Sequence, residues 1–130
     1  MNTKLFLIST VIFLILDLVW LGILAKDLYI HYLGDFLRLS NGKIQTIIPG
    51  AIVVYLALIA GICLFVYPLA GPSIKASFIY GALFGAISYA IYDFTNYALI
   101  NGWPLTICII DTCWGAILCG ITAGVTRWIV

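Results

Sequence analysis

The sequence predicts an all-α integral membrane protein, a single-domain four-helix bundle whose helices run alternately up and down. Of its 130 residues, 65% are hydrophobic and 8% are charged, and the mean hydropathy is +1.20. A soluble domain usually carries about 25% charged residues, so this composition indicates that the lipid bilayer surrounds the chain. The net charge is +1 and no basic run occurs, which gives no reason to expect a nucleic-acid partner.

Four stretches have the apolar composition and the length, about 20 residues, that a membrane helix needs. They cover residues of about 5–25, 47–67, 76–99 and 105–126. The pair Tyr67-Pro68 is expected to end the second span, because proline breaks the helical hydrogen-bond ladder. After the third span, Gly102 suits a left-handed C-terminal cap and Pro104 suits a first helical position. So short a connection predicts that the third and fourth helices form an antiparallel hairpin.

Residues 26–45 form a longer polar connector between the first and second spans, within the one domain of residues 1–130. Apolar residues recur there at spacings of three and four between charged ones, which is typical of a short amphipathic helix in the headgroup region. A solvated linker is the alternative. His31 and Arg38 in this connector are candidates for the rim of a site below it. Trp103, at the membrane boundary, is expected to be an interfacial anchor at the same rim.

Small residues recur at every fourth position in the third and fourth spans. The two rows are Ser77, Gly81, Gly85 and Ala116, Gly120, Gly124. Because lipid gives no hydrophobic drive for helix association, such rows let backbones approach closely and pack. The glycine faces also predict a homodimer. The second span has no charged residue, and we expect it to face lipid over most of its surface.

Three of the five acidic residues, Asp17, Asp93 and Asp111, lie inside the apolar spans. An ionisable group at the centre of a membrane helix costs about 2.5–3.5 kcal/mol on insertion scales, which makes such residues functional candidates. In an alternating bundle all three fall roughly 10–12 Å below the same membrane face, at a rise of about 1.5 Å per residue. We therefore expect the three carboxylates to point into one polar chamber.

Aromatic and polar residues accompany the aspartates on the same helix faces. Trp20 follows Asp17 by one turn, and Trp114 follows Asp111 by one turn. Because the first and fourth helices run in opposite directions, these two indoles are expected on either side of the polar layer. The residues near Asp93 that join the candidate site are Tyr89, Tyr92, Thr95 and Asn96.

Three carboxylates in one low-dielectric site cannot all stay ionised without a compensating charge. No Lys or Arg lies in the spans at that depth, so compensation must come from the connector, from a bound cation or from retained protons. Alternatively, each aspartate is protonated and merely bonds another helix, although such bonds average only about 0.6 kcal/mol. Aspartates alone would suit a hard cation such as Mg²⁺, but the sequence lacks closely spaced acid pairs. We predict neither a metal site nor a cofactor.

Four motifs occur in order along the chain. They are Asp17-x-x-Trp20-Leu21-Gly22, Tyr92-Asp93-x-Thr95-Asn96, Gly102-Trp103-Pro104 and Asp111-x-x-Trp114-Gly115. Together they resemble, over nearly the whole chain, a small bacterial membrane family known as domain of unknown function 2177. The resemblance implies a four-span protein of the bacterial inner membrane and supplies no activity. Lys and Arg counts on the two sides tie, and only the N-terminal amine favours cytoplasmic termini.

The residues leave three functions open. The first is a carrier or binding protein that holds a cationic or polar small molecule at the aspartates, with proton-coupled transport as its extension. The second is a membrane enzyme acting on a lipid or isoprenoid head group, in which an aspartate is the general acid or base and His31 or Arg38 meets the head group. The third is a structural or assembly subunit whose partner surface is the glycine rows.

Overall fold

The structure, a computed structural model, describes residues 2–130 and confirms the all-α membrane bundle. Four helices are long and apolar enough to cross a membrane, namely Thr3–Leu24, Ile48–Ala70, Ile74–Leu99 and Leu105–Ile129. In chain order the elements are α1 (Thr3–Val19), a π-helical turn (Trp20–Leu24), α2 (Lys26–Leu33), strands β1 (Leu39–Ser40) and β2 (Lys43–Ile44), α3 (Ile48–Gly61), a second π-helical turn (Ile62–Val66), α4 (Tyr67–Ala70), α5 (Ile74–Leu99) and α6 (Leu105–Ile129).

The second span continues past Tyr67-Pro68, where the sequence predicts its end, as far as Ala70. The π-helical turn directly before Pro68 widens the helix, and such a local adjustment lets a membrane helix pass a residue that lacks an N–H donor. Gly71 ends the span with a φ of 62°. After α5, Gly102 has the positive φ that the sequence predicts, 83°, whereas Pro104 takes the N-cap of α6 instead of its first helical position.

Only the first part of the connector is helical. α2 ends at Leu33, and the chain then forms an antiparallel hairpin of β1 and β2. Asn41 and Gly42 close this hairpin with φ values of 52° and 74°, as a type I′ turn requires, so local turn chemistry overrides the helical spacing. The helix α2 packs onto the bundle: Tyr29 and Leu33 are buried in a cluster with Trp103.

α5 and α6 form the predicted antiparallel hairpin and share the most extensive contact in the bundle. The glycines of the two rows are buried in this contact, namely Gly81, Gly85, Gly120 and Gly124. A Cβ atom on Gly81 would lie 2.6 Å from the carbonyl oxygen of Cys119, and one on Gly85 would collide with the carbonyl of Gly115. Gly120 and Gly124 in turn face Phe78 and Ala82, so each row packs on the other helix of the hairpin within one chain. A homodimer through these glycines would have to open the hairpin.

The end of the bundle that holds both termini is tightly packed, and we call it the closed end. It comprises residues 5–13, 59–70, 77–85 and 118–126. Phe13 and Leu118 are fully buried there. The Ser9 hydroxyl lies 2.5 Å from the Tyr67 hydroxyl and donates to the Thr126 hydroxyl at 3.4 Å, which joins three spans. These buried polar groups satisfy each other and do not need water.

At the opposite end, which we call the open end, α3 separates from the α5–α6 hairpin. This end comprises residues 17–33, 48–58, 89–99 and 103–114. The second span meets the hairpin chiefly through its second half, whereas α3 packs on α1. Ile52, Val53 and Val54 are 51%, 66% and 54% exposed, but Ile59 and Ile62 are buried in the core. In the second half Leu64, Phe65 and Leu69 are still 51%, 67% and 66% exposed, so both halves of the span have an exposed apolar face and the second half also packs into the core.

Candidate functional site

A cleft of about 720 Å³ lies at the open end, in the space that the separation of α3 leaves. Two of the three candidate carboxylates line it, those of Asp17 and Asp111. The aromatic residues of its wall are Tyr55, Tyr89, Tyr92 and Trp114, and aliphatic residues of α3 complete it. No lysine, arginine or histidine is among the lining residues. The cleft therefore combines two acidic groups with a mostly apolar, aromatic wall.

Asp17 is only 4% exposed, and side chains from two other helices hold both of its carboxylate oxygens. The Tyr55 hydroxyl donates to Oδ2 at 2.5 Å, and the Trp114 indole N–H donates to Oδ1 at 3.2 Å. Asp17 thus sits in a fixed orientation at the wall of the cleft.

The indoles of Trp20 and Trp114 stack face to face, with ring centroids 4.5 Å apart and an angle of 10° between the planes. This differs from the prediction that they lie on either side of the polar layer. Side chains on a helix lean towards its N-terminus. Because α1 and α6 are antiparallel, Trp20 leans inward and Trp114 leans outward, so the two rings meet at the level of the aspartates.

Asp111 is half-buried and bonds to the connector. The Tyr29 hydroxyl donates to Asp111 Oδ1 at 2.6 Å and accepts from the Trp20 indole N–H at 3.3 Å. Burial raises the pKa of Tyr29 well above its ordinary range, and the negative charge of Asp111 raises it further. Tyr29 therefore stays a neutral donor, and it ties α2 to the carboxylate in the cleft.

Asp93 lies behind the cleft and does not line it. Its side chain is 0% exposed, and neither carboxylate oxygen has a hydrogen-bond partner among the described residues. The Cys108 thiol donates to its backbone carbonyl at 3.3 Å, which places Asp93 against the turn of α6 that leads to Asp111. The three aspartates are thus gathered at one end of the bundle, but as a pair in the cleft with a third, more deeply buried member beside Asp111.

The other predicted site residues are divided between the wall and the periphery. Thr95 is exposed and Asn96 is half-buried, and neither lines the cleft. His31 and Arg38 are exposed on the connector, also away from the cleft wall. Trp103 is 8% exposed and packs beneath the connector instead of lying at an exposed rim.

Two tyrosines that the sequence interpretation left out supply key contacts, Tyr29 and Tyr55. Tyr55 is the only residue of α3 with a side-chain hydrogen-bonding group, and a tyrosine hydroxyl in an apolar span needs a partner. That isolation is a signal which the sequence does carry. Tyr29 follows Ala25 and precedes Leu33 by four residues each, and these three form the buried face of the connector. Its partner across 82 positions, Asp111, is visible only in the fold.

Among residues 2–130, no group of three or more His, Cys, Asp or Glu side chains is arranged to hold a metal ion. Two of the aspartates instead accept hydrogen bonds from tyrosine and tryptophan side chains. This donor set suits carboxylates whose free lone pairs face an occupant of the cleft.

Comparison with protein families gives a match over residues 2–128 to the family described as "Predicted membrane protein (DUF2177)". The chain belongs to this family. The resemblance seen in the four sequence motifs is thereby confirmed, and membership establishes a membrane protein without assigning an activity. No curated protein and no solved structure matched the chain. Within the fold, all four motifs of this DUF2177 member lie at the open end, around the cleft.

Proposed function

We propose that the protein binds a small organic cation in the cleft and acts as a membrane carrier or receptor for it. The observation that carries this proposal is the pairing of Asp17 and Asp111 in one cleft whose wall contains no basic residue. A carboxylate in an apolar site requires a positive partner or a proton. A cation that enters the cleft supplies that partner.

The wall favours an organic cation with an apolar body over a small inorganic ion. A volume of about 720 Å³ lies within the range of drug-sized ligand sites, roughly 300–1,000 Å³. Tyr89, Tyr92 and Trp114 offer aromatic faces, which attract a desolvated cation by up to about 2 kcal/mol each. The aliphatic residues of α3 would contact the apolar part of the ligand.

A lipid head group that bears an ammonium would present the same charge to the same carboxylates. The exposure of α3 supports this second candidate ligand, because a lipid could enter the cleft from the side next to that helix.

An enzymatic role has less support, because Ser88 donates its hydroxyl to the Phe84 carbonyl at 2.8 Å and no histidine lines the wall. An assembly role through the glycine rows has none, since α5 and α6 cover them. A bacterial inner membrane and cytoplasmic termini stay predictions.

The test is a titration of the purified protein in detergent with tetraphenylphosphonium, an aromatic cation of permanent charge. Trp114 bonds to Asp17 and stacks on Trp20, so intrinsic tryptophan fluorescence reports occupancy of the cleft. We expect saturable binding that Asp17→Asn weakens by about tenfold or more, which corresponds to about 1.4 kcal/mol. The matched control is Asp27→Asn, on the exposed face of α2, which should bind as the parent does.

Equal binding by Asp17→Asn and the parent would refute the cation site. A lipid source is distinguished by titrating with vesicles of an ammonium-bearing phospholipid and with vesicles of a neutral glycolipid. Quenching by the first alone would identify the head group as the ligand. A reaction on lipids would appear as a difference between total lipid extracts of cells with and without the gene.

A further inference from the structure

The side chain of Asp93 has no place in the cation site described so far, yet it is fully buried. It is 0% exposed and lacks a hydrogen-bond partner for either oxygen among the described residues. Buried polar groups are nearly always paired, so a carboxyl without a partner indicates a bound ligand, a retained proton or a catalytic use. The Cys108 thiol donates to the Asp93 backbone carbonyl at 3.3 Å, and Asp111 follows Cys108 by one turn of α6, so Asp93 lies against the turn that carries Asp111, a residue of the cleft wall.

Two neighbouring carboxyls in a low-dielectric site cannot both carry a charge unless a cation compensates them. Every group that faces the pair is acidic or neutral. Tyr29 from α2 and Cys108 from α6 lie against it, and Tyr92 is beside it on α5. From α1, Asp17 lines the same cleft as Asp111, and it accepts a hydrogen bond from Tyr55 of α3. With the cleft empty, the pair must therefore retain a proton.

We propose that the Asp93–Asp111 pair holds one proton when the cleft is empty and releases it when a cation binds, so that the protein exchanges a proton for a cation. This inference rests on the proposed function, because it needs a cation at Asp17 and Asp111. Before binding, the pair is one carboxylic acid and one carboxylate. After binding, both members are carboxylates, the cation compensates the added charge, and the proton passes by way of Asp111 to the water at the mouth of the cleft.

The position of Asp111 in the cleft wall makes this route short. Asp111 is half-buried and lines the cleft, while Asp93 is sealed behind it, so Asp111 is the member through which a proton can leave. The Tyr29 hydroxyl already donates to Asp111 Oδ1, whereas neither oxygen of Asp93 has a partner among the described residues. The proton is therefore held mainly at Asp93, the oxygens of which have no other donor.

The experiment measures protons released per cation bound. Tetraphenylphosphonium has no proton to give, so any released proton comes from the protein. Calorimetric titrations in two buffers of different ionisation enthalpy yield the proton number directly. We expect about one proton per cation, and a Kd that falls by about tenfold per pH unit as the pH rises through the range in which the pair titrates.

The decisive variant is Asp93→Asn, whose amide has nearly the shape of the protonated acid. It should still bind tetraphenylphosphonium, release no proton, and have a Kd that does not change with pH. The control Asp35→Asn, an exposed acid on the connector, should release as many protons as the parent.

The outcomes separate the two proposals. Binding without proton release by the parent, or equal release by Asp93→Asn and the parent, would overturn the exchange while leaving the cation site intact. Absence of binding by the parent would overturn the proposed function. If Asp93→Asn does not fold, the buffer dependence of the parent alone still decides, because a proton number near zero contradicts the exchange.

Discussion

The two ends of the bundle are built from the same four helices, but they place their polar groups in opposite ways. At the closed end, Ser9, Tyr67 and Thr126 bond to one another inside a packed core. At the open end, Asp17 and Asp111 receive donors from tyrosine and tryptophan, yet they still face a cleft of about 720 Å³. The closed end thus pairs Ser9 with Tyr67 and Thr126 inside its core, and the open end leaves acceptor capacity for an occupant of the cleft.

This difference follows from where the small residues lie. The glycines Gly81, Gly85, Gly120 and Gly124 bring the backbones of α5 and α6 together, and the second half of the second span packs beside them. Near the aspartates, the residues that line the cleft between α3 and the hairpin are instead bulky and aromatic. The bundle is thus closely packed at one end and has a cleft at the other.

The largest effect should come from breaking the close contact between α5 and α6. Gly85→Ala places a methyl group against the carbonyl of Gly115, and we expect the free energy of unfolding to fall by about 1–3 kcal/mol. Gly50→Ala is the control, because a Cβ there meets nothing within 4 Å, so its effect should stay below about 1 kcal/mol. Thermal unfolding in detergent measures both. Equal stability of the two variants would contradict the contact.

A smaller effect tests the bond between the connector and the open end. The raised pKa of Tyr29 means that the folded protein keeps this phenol neutral while the unfolded chain ionises it above about pH 10. Its contribution to stability is therefore complete below pH 10 and declines as the pH rises further. By pH 11 the stability advantage of the parent over Tyr29→Phe should shrink by about 1 kcal/mol. Denaturant titrations at pH 8 and pH 11 check this. An advantage that does not change with pH would contradict the Tyr29–Asp111 bond.

The smallest change in stability should come from removing one tyrosine hydroxyl from each end, which compares the two ends directly. Tyr67→Phe at the closed end and Tyr55→Phe at the open end should each lower the free energy of unfolding by about 0.6 kcal/mol. Only Tyr55→Phe should weaken tetraphenylphosphonium binding, by about threefold to tenfold, because Asp17 loses the donor that orients it. The fluorescence titration measures the difference. A loss of binding in Tyr67→Phe of equal size would show that the ends do not act separately.

Much of the fold could be predicted because each membrane helix must itself be long and apolar enough to cross the bilayer. Residues 76–99 of the predicted third span lie within α5 (Ile74–Leu99), and the α5–α6 hairpin follows from the short connection at Gly102 and Pro104. The sequence did not predict that the second span extends beyond Pro68, nor that the connector forms a β-hairpin. In the first case a π-helical turn accommodates Pro68, and in the second the Asn41-Gly42 turn ends the helical pattern.

Of the candidate site, the sequence clearly identifies only the charged residues. Asp17, Asp93 and Asp111 stand out because a charge in an apolar helix is expensive, whatever surrounds it. Tyr55 does not stand out in the same way, although it donates to Asp17. The stacking of Trp20 on Trp114 depends on how far each side chain leans along its own helix, which sequence spacing alone does not express.

The sequence by itself determined the four spans, the close approach of α5 and α6, and the presence of three acids among apolar residues. Only the tertiary structure decided that α3 stands apart, that Asp17 and Asp111 share a cleft, and that Asp93 is sealed behind them. The reason is physical. The hydrophobicity of a helix determines whether it is stable in lipid. An apolar face is equally suited to lipid and to another helix, so the rotation of each helix about its axis and the distance between helices are set by packing.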